Sequence, residues 1–274
     1  MVNGVPTIMQ SLRRIPNLLG WTRASFTLFS AFLLTIFLIV YIWWPLAEEV
    51  LSYIDWKGPW WLYMDWLLLG IFAAMSLLIM SRADLRLDAL TVLVGLAGGL
   101  VIEAWGTQTN LWFYYTYERP PLWIIPAWPI ASLSIDRIVR LSHRLLPDRF
   151  RQLYRFAYWL VFIIFYVLML SFVTPTLDKS FTWVALLLCA FFILTPTDHR
   201  LALLTFIAGS GLGYLLELWG TTRACWTYYT FQTPPLFAVL AHGMAAVAFW
   251  RAGRHISALY KRLRLRYEHS NLLQ

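Results

Sequence analysis

Apolar residues fall in long blocks along this chain, and the charged residues collect in the short stretches between them. The blocks lie near 25–46, 60–80, 88–106, 121–137, 154–175, 181–195, 200–218 and 235–252. A helix needs about 20 residues to cross a hydrocarbon layer roughly 30 Å thick, so the pattern predicts an all-α, polytopic membrane protein of about eight transmembrane helices. The sixth block is the shortest. Arg13, Arg14 and Arg23 precede the first block in the manner of a signal peptide. That block runs to Ile42 without a small-residue cleavage site, so an uncleaved first span is expected.

Composition agrees with bilayer solvent. Of the 274 residues, 60% are hydrophobic and only 13% charged, too few charges for the surface of a soluble protein of this length. The net charge of +8 points to nucleic acid only if it forms a patch. Here it is sorted by side instead. The N-terminus, the even-numbered connections and the C-terminal tail hold 18 of the 22 Lys and Arg residues, leaving Lys57, Arg119, Lys179 and Arg223 on the other side. The positive-inside rule then places both termini in the cytoplasm, with the chain in the cell (inner) membrane. The basic tail from Arg251 to Arg266 reads as an orientation signal snorkelling toward anionic lipid, or else as a partner-docking helix. Cys189 and Cys225 form neither a disulfide framework nor a metal-ligand spacing.

Sliding the chain against itself by 114 residues aligns 84–122 with 198–236, and 18 of these 39 positions are identical. Among the matched residues are Asp84 and Asp198, Gly95 and Gly209, Gly99 and Gly213, Glu103 and Glu217, and Trp112 and Trp226. Tyr114-Tyr115-Thr116 recurs as Tyr228-Tyr229-Thr230, and Pro120-Pro121 as Pro234-Pro235. Two tandem four-helix repeats follow, residues 1–137 and 138–274. Four spans per copy make the repeats parallel, related by an axis along the membrane normal.

Thr91, Gly95, Gly99 and Glu103 are spaced four apart, as are Thr205, Gly209, Gly213 and Glu217. On a helix this spacing keeps them on one face, where small residues let another helix approach closely. Each glutamate continues a packed stripe and is expected to point into the protein. There it serves either as a catalytic site group or as a structural lock for the following loop. That loop, W-G-T-x4-W-x-Y-Y-T-x3-P-P-L, reads as an outer-face connection in which Gly106 and Gly220 break the helices and the Pro-Pro pair restarts them. Trp105, Thr107, Trp112, Tyr114 and Tyr115, with Trp219, Thr221, Trp226, Tyr228 and Tyr229, are interfacial anchors or the walls of an aromatic pocket suited to a cation. His242 stands opposite Trp128 in the alignment and breaks the symmetry, as a packing residue or as a ligand. Asp65, Glu48 and Glu49 read as solvated boundary residues. Nucleotide-binding glycine loops, His-rich metal motifs and G-x-S-x-G nucleophiles are missing from the sequence.

The run Glu103-Ala-Trp105-Gly106-Thr107-Gln-Thr109, continuing through Trp112, Phe113, Tyr114, Tyr115 and Tyr117 to Pro126 and Trp128, resembles the membrane carotenoid hydratase family. That resemblance covers about 30 residues of the first copy. In the second copy Arg223 takes the place of the second threonine, and Asn110 stands where the family has glycine. It implies addition of water across a terminal carbon–carbon double bond of a carotenoid. Such chemistry needs an acid to protonate carbon, aromatic faces to steady a tertiary cation and a base for water, with Glu103 and Glu217 as the carboxylates. The expected partner is a membrane lipid or lipid-like substrate, with no nucleic acid, metal or cofactor. A proton-coupled transporter and a noncatalytic membrane scaffold are the alternative readings.

Overall fold

The computed structural model describes residues 20–146 and 148–271; the N-terminal flank with Arg13 and Arg14 lies outside them. The chain divides into two compact units, residues 1–89 and 90–274.

In the first unit, α1 (Arg23–Ile42) starts at Thr22, whose hydroxyl accepts from the Ser25 amide while the Ser25 hydroxyl accepts from the Thr22 amide. A short α2 (Trp44–Ser52) has Pro45 in its first turn, where the missing N–H removes no helical bond. Then come a 3-10 turn (Trp60–Tyr63) and α3 (Trp66–Met80), which Asp65 caps by accepting from the Leu68 amide. α1 packs on α3 with Phe32 stacked on Phe72 at 5.4 Å.

The helix α4 (Leu85–Gln108) begins at Asp84, whose carboxylate accepts from the Arg86 and Leu87 amides. It leads through β1 (Trp112–Tyr114) and a 3-10 turn (Leu122–Ile124) to α5 (Ala127–Leu145). Next are α6 (Arg151–Val173), α7 (Ser180–Ile193) and α8 (His199–Thr222), the last capped by Asp198. β2 (Trp226–Tyr228) and α9 (Leu236–Asn271) complete the described chain, so the last helix continues well past the predicted span into the basic tail. In the second unit α8 is the central helix, packed against α5, α6 and α9, and α9 also meets α5, α6 and α7.

Six of the described helices are long and apolar enough to cross a membrane; α3 and α7, on the second and sixth predicted spans, are shorter. Their outward faces are themselves apolar: Leu34 and Phe37 on α1, Ile163 and Val167 on α6, and Val184 and Leu187 on α7 are all exposed. These are the surfaces of an integral membrane protein.

The small-residue stripes lie where helices touch. A Cβ on Gly95 would stand 2.8 Å from the Pro129 Cα, and one on Gly99 only 2.4 Å from Trp128 Cγ. At the matching positions Gly209 meets the Gly243 Cα at 2.9 Å and Gly213 meets His242 Cβ at 2.4 Å. Close backbone approach of this kind is how helices gain dispersion energy when lipid removes the hydrophobic drive for association.

Two expectations about the connections are corrected. Gly106 and Gly220 do not end their helices, which continue to Gln108 and Thr222. Their bareness serves the next segment: a Cβ on Gly106 would lie 1.9 Å from Trp112 Cη2, and one on Gly220 2.0 Å from Trp226 Cη2. The helices stop four residues later, at left-handed Asn110 (φ 60°) and Ala224 (φ 53°). There the Asn110 amide reaches the Thr107 carbonyl and the Leu111 amide the Gly106 carbonyl, with the same pair from Ala224 and Cys225. This is the Schellman ending, built without its usual glycine.

The second correction is that the segments read as loops form a ladder. β1 and β2 pair antiparallel, with Trp112 opposite Tyr228, Phe113 opposite Thr227 and Tyr114 opposite Trp226. The Tyr115 amide donates to the Cys225 carbonyl and the Tyr229 amide to the Leu111 carbonyl, extending it at both ends. Phe113 and Thr227 are equivalent positions at the offset of 114, so the pairing is self-complementary.

Candidate functional site

The ladder carries two side chains from each strand down onto a carboxylate. Residues two apart on a strand point to the same face, so Trp112 and Tyr114 reach Glu103 together, and Trp226 and Tyr228 reach Glu217. Trp112 Nε1 donates to Glu103 Oε2 at 3.1 Å and the Tyr114 hydroxyl to Oε1 at 2.9 Å. A third donor comes from α5, Trp128 Nε1, at 3.1 Å from Oε1. Glu217 repeats the arrangement, with Trp226 Nε1 at 2.9 Å from Oε2, the Tyr228 hydroxyl at 2.8 Å from Oε1, and His242 Nε2 at 2.9 Å from Oε1. Glu103 is 3% exposed and Glu217 2%, which makes these bonds indispensable, since a carboxylate out of water is stable only where its oxygens are satisfied.

The two centres adjoin. Trp112 packs against Tyr228 and Tyr114 against Trp226, each at 5.9 Å, and Trp128 stacks on His242 at 5.7 Å with their planes 19° apart. Burial, and after it the charge of the neighbouring glutamate, holds the Tyr114 and Tyr228 hydroxyls well above the ordinary tyrosine range, so both remain donors.

Of the other sequence-predicted residues, Trp105 and Trp219 are buried beside the cluster. Trp105 stands edge-on to Trp112 at 5.9 Å and donates to Thr182 Oγ1, while Trp219 stands edge-on to Trp226 at 6.4 Å. Thr107 and Thr221 turn their hydroxyls back to the carbonyls of Glu103 and Glu217, both at 2.6 Å, and so steady the helix rather than the carboxylate. Tyr229 donates to the Phe172 carbonyl at 2.8 Å, and Tyr115 joins through the ladder, its ring half-buried. Trp128 is the site residue that the sequence reading missed. The offset itself carried the signal, because Trp128 and His242 are equivalent positions.

Glu103 accepts from Trp112, Tyr114 and Trp128, and the two indoles among these can only donate. Glu217 faces an imidazole nitrogen, which donates or accepts according to its tautomer, where Glu103 faces an indole that can only donate. Among the described residues no group of three His, Cys, Asp or Glu side chains is placed to hold a metal ion.

The fold and site define a helical membrane protein with paired, aromatic-caged carboxylates. No protein-family model, curated protein or solved structure matches the chain.

Proposed function

We propose that the protein is a membrane-embedded enzyme acting on an unsaturated polyisoprenoid or similar lipid by cofactor-independent acid–base chemistry of the hydratase kind. The observation that carries this reading is the pair of buried carboxylates, one beside a titratable imidazole, set in a cluster of Trp and Tyr rings. The resemblance at Glu103–Tyr117 to carotenoid hydratases supports the same chemistry. Glu217, resupplied through His242, gives its proton to one alkene carbon. The neighbouring carbon becomes a tertiary cation facing aromatic rings and the charge of Glu103. Water adds to that cation, and its surplus proton returns to the Glu217–His242 pair, which restores the acid and closes the cycle.

The proposal includes eight membrane crossings in two parallel four-helix repeats, with both termini on the cytoplasmic side of the inner membrane. Its basis is the 18-to-4 division of basic residues and the 18 identities at one offset. Cysteine-accessibility labelling tests this part: residues introduced at 117 and 231 are expected to react from outside, and labelling from the cytoplasm alone refutes it.

One observation favours a noncatalytic scaffold instead. All the donors on Glu103 come from the ladder and α5, so the carboxylate also ties those elements to α4. The two readings separate on product formed per folded molecule, using a polyisoprenoid in proteoliposomes and oxygen-18 water. Full specific activity in both Glu103→Gln and Glu217→Gln leaves the scaffold as the reading.

A further inference from the structure

Nine residues beyond His242, about 14 Å along the helix, the second copy loses a counter-ion that the first copy keeps. In α5 the buried Arg137 Nη1 meets Asp136 Oδ2 at 2.6 Å, and Arg140 Nε meets the same oxygen at 2.9 Å. The offset of 114 places Arg251 and Arg254 at the positions of Arg137 and Arg140, and Trp250 at the position of Asp136. Both arginines are retained and their carboxylate has become an indole.

Arg251 is nonetheless 4% exposed. Its Nη1 donates to Thr197 Oγ1 at 3.2 Å and its Nη2 to Thr195 Oγ1 at 3.4 Å, and Nη2 lies 3.1 Å from His255 Nε2. These partners are neutral or share its sign. Its Nε is buried with no acceptor, and among the described residues no carboxylate pairs with it. A guanidinium withdrawn from water needs an anion. The rim is open, for Arg254, His255, Thr195 and Thr197 are all exposed. Thr195 gives its proton to the Phe191 carbonyl, whereas the Thr197 hydroxyl accepts from Arg251 and has its own proton to offer.

We propose that Arg251, Arg254 and Thr197, between the α7–α8 connection and α9, bind a phosphate group such as an anionic lipid presents at the membrane surface. A tetrahedral group with several acceptor oxygens suits a buried guanidinium fork, a second arginine at the rim and a hydroxyl donor. The site lies along the apolar stretch that spans Leu236–Leu265, toward its basic end, where headgroup phosphates are to be found. This inference does not depend on the catalytic reading.

The test uses the full chain in detergent and native mass spectrometry, with phosphatidylglycerol and diacylglycerol of the same chains as probes, and thermal melting with inorganic phosphate as a second arm. Wild type is expected to retain phosphatidylglycerol about tenfold over diacylglycerol, the effect of one charge-assisted contact. Arg254→Gln, at an exposed position, and Trp250→Asp, which restores the first copy's counter-ion, are each expected to abolish that preference. Stabilisation by inorganic phosphate alone, lost in the same variants, assigns the site to a soluble phosphate. Equal retention of the two lipids with no response to phosphate overturns the proposal. A preference that survives both variants overturns it as well.

Discussion

The Glu103 and Glu217 centres share a carboxylate, a Trp and a Tyr two residues apart on a strand, and a helix-borne third donor; they differ in that donor. Trp128 holds Glu103 with a fixed N–H, while His242 holds Glu217 with a nitrogen that takes or gives a proton. On the proposed reading, that one substitution in an otherwise matched frame gives the two carboxylates different parts to play. Such a pair is how two like groups acquire different roles in one site.

The comparison breaks most sharply at Glu217→Gln. Product formation per folded molecule is expected to fall by about 10²-fold or more, the usual contribution of a positioned general acid. Glu103→Gln places an amide NH2 among three donors and is expected to lower folded yield as well as rate. Equal, purely structural losses in the two variants make the centres equivalent and defeat the division of roles.

Tyr114→Phe and Tyr228→Phe each remove a hydrogen bond to a buried carboxylate, worth about 1.5–3 kcal/mol. Similar falls in melting temperature are expected for both, because this part of the frame is common to the two centres. A large loss in one alone makes the centres structurally unequal.

Gly106→Ala and Gly220→Ala push a methyl into Trp112 and Trp226, and an overpacked interior typically loses about 1–3 kcal/mol. Thermal melting is expected to show the loss in both. If neither changes, Trp112 and Trp226 do not need the close approach to Gly106 and Gly220.

The smallest effect is alkaline. The Tyr114 and Tyr228 hydroxyls are raised in the fold, so their stabilisation is complete below the unfolded tyrosine value of about 10 and is lost as pH climbs from there toward the folded values. The slope is at most about 1.4 kcal/mol per pH unit for each tyrosine. Melting curves between pH 9 and about 11 are expected to flatten in Tyr114→Phe and again in Tyr228→Phe. Unchanged slopes show these hydroxyls to be open to water.

Membrane helices, glycine stripes and inward glutamates were all legible in the chain, because each rests on periodicity and on a repeat at constant offset. The Schellman endings were not. Asn110 is only the second choice for a left-handed residue and Ala224 a poor one, so the expected stop fell on the glycines upstream. The ladder was hidden for a related reason. Three residues such as Trp112–Tyr114 gain little from strand propensity and pair only because a second copy 114 residues away presents the complementary edge.

The sequence by itself determined the solvent, through its apolar blocks; the equivalence of positions 114 residues apart, through 18 identities over 84–122 and 198–236; and the interior placement of Glu103 and Glu217, through i,i+4 spacing. Only the tertiary structure decided that Trp128 and His242 complete the two carboxylate cages and stack on each other. It likewise decided that Gly106 and Gly220 make room for indoles. The reason is physical: periodicity fixes which face of an element is buried, whereas the partner on that face depends on chain segments brought together from far along the sequence.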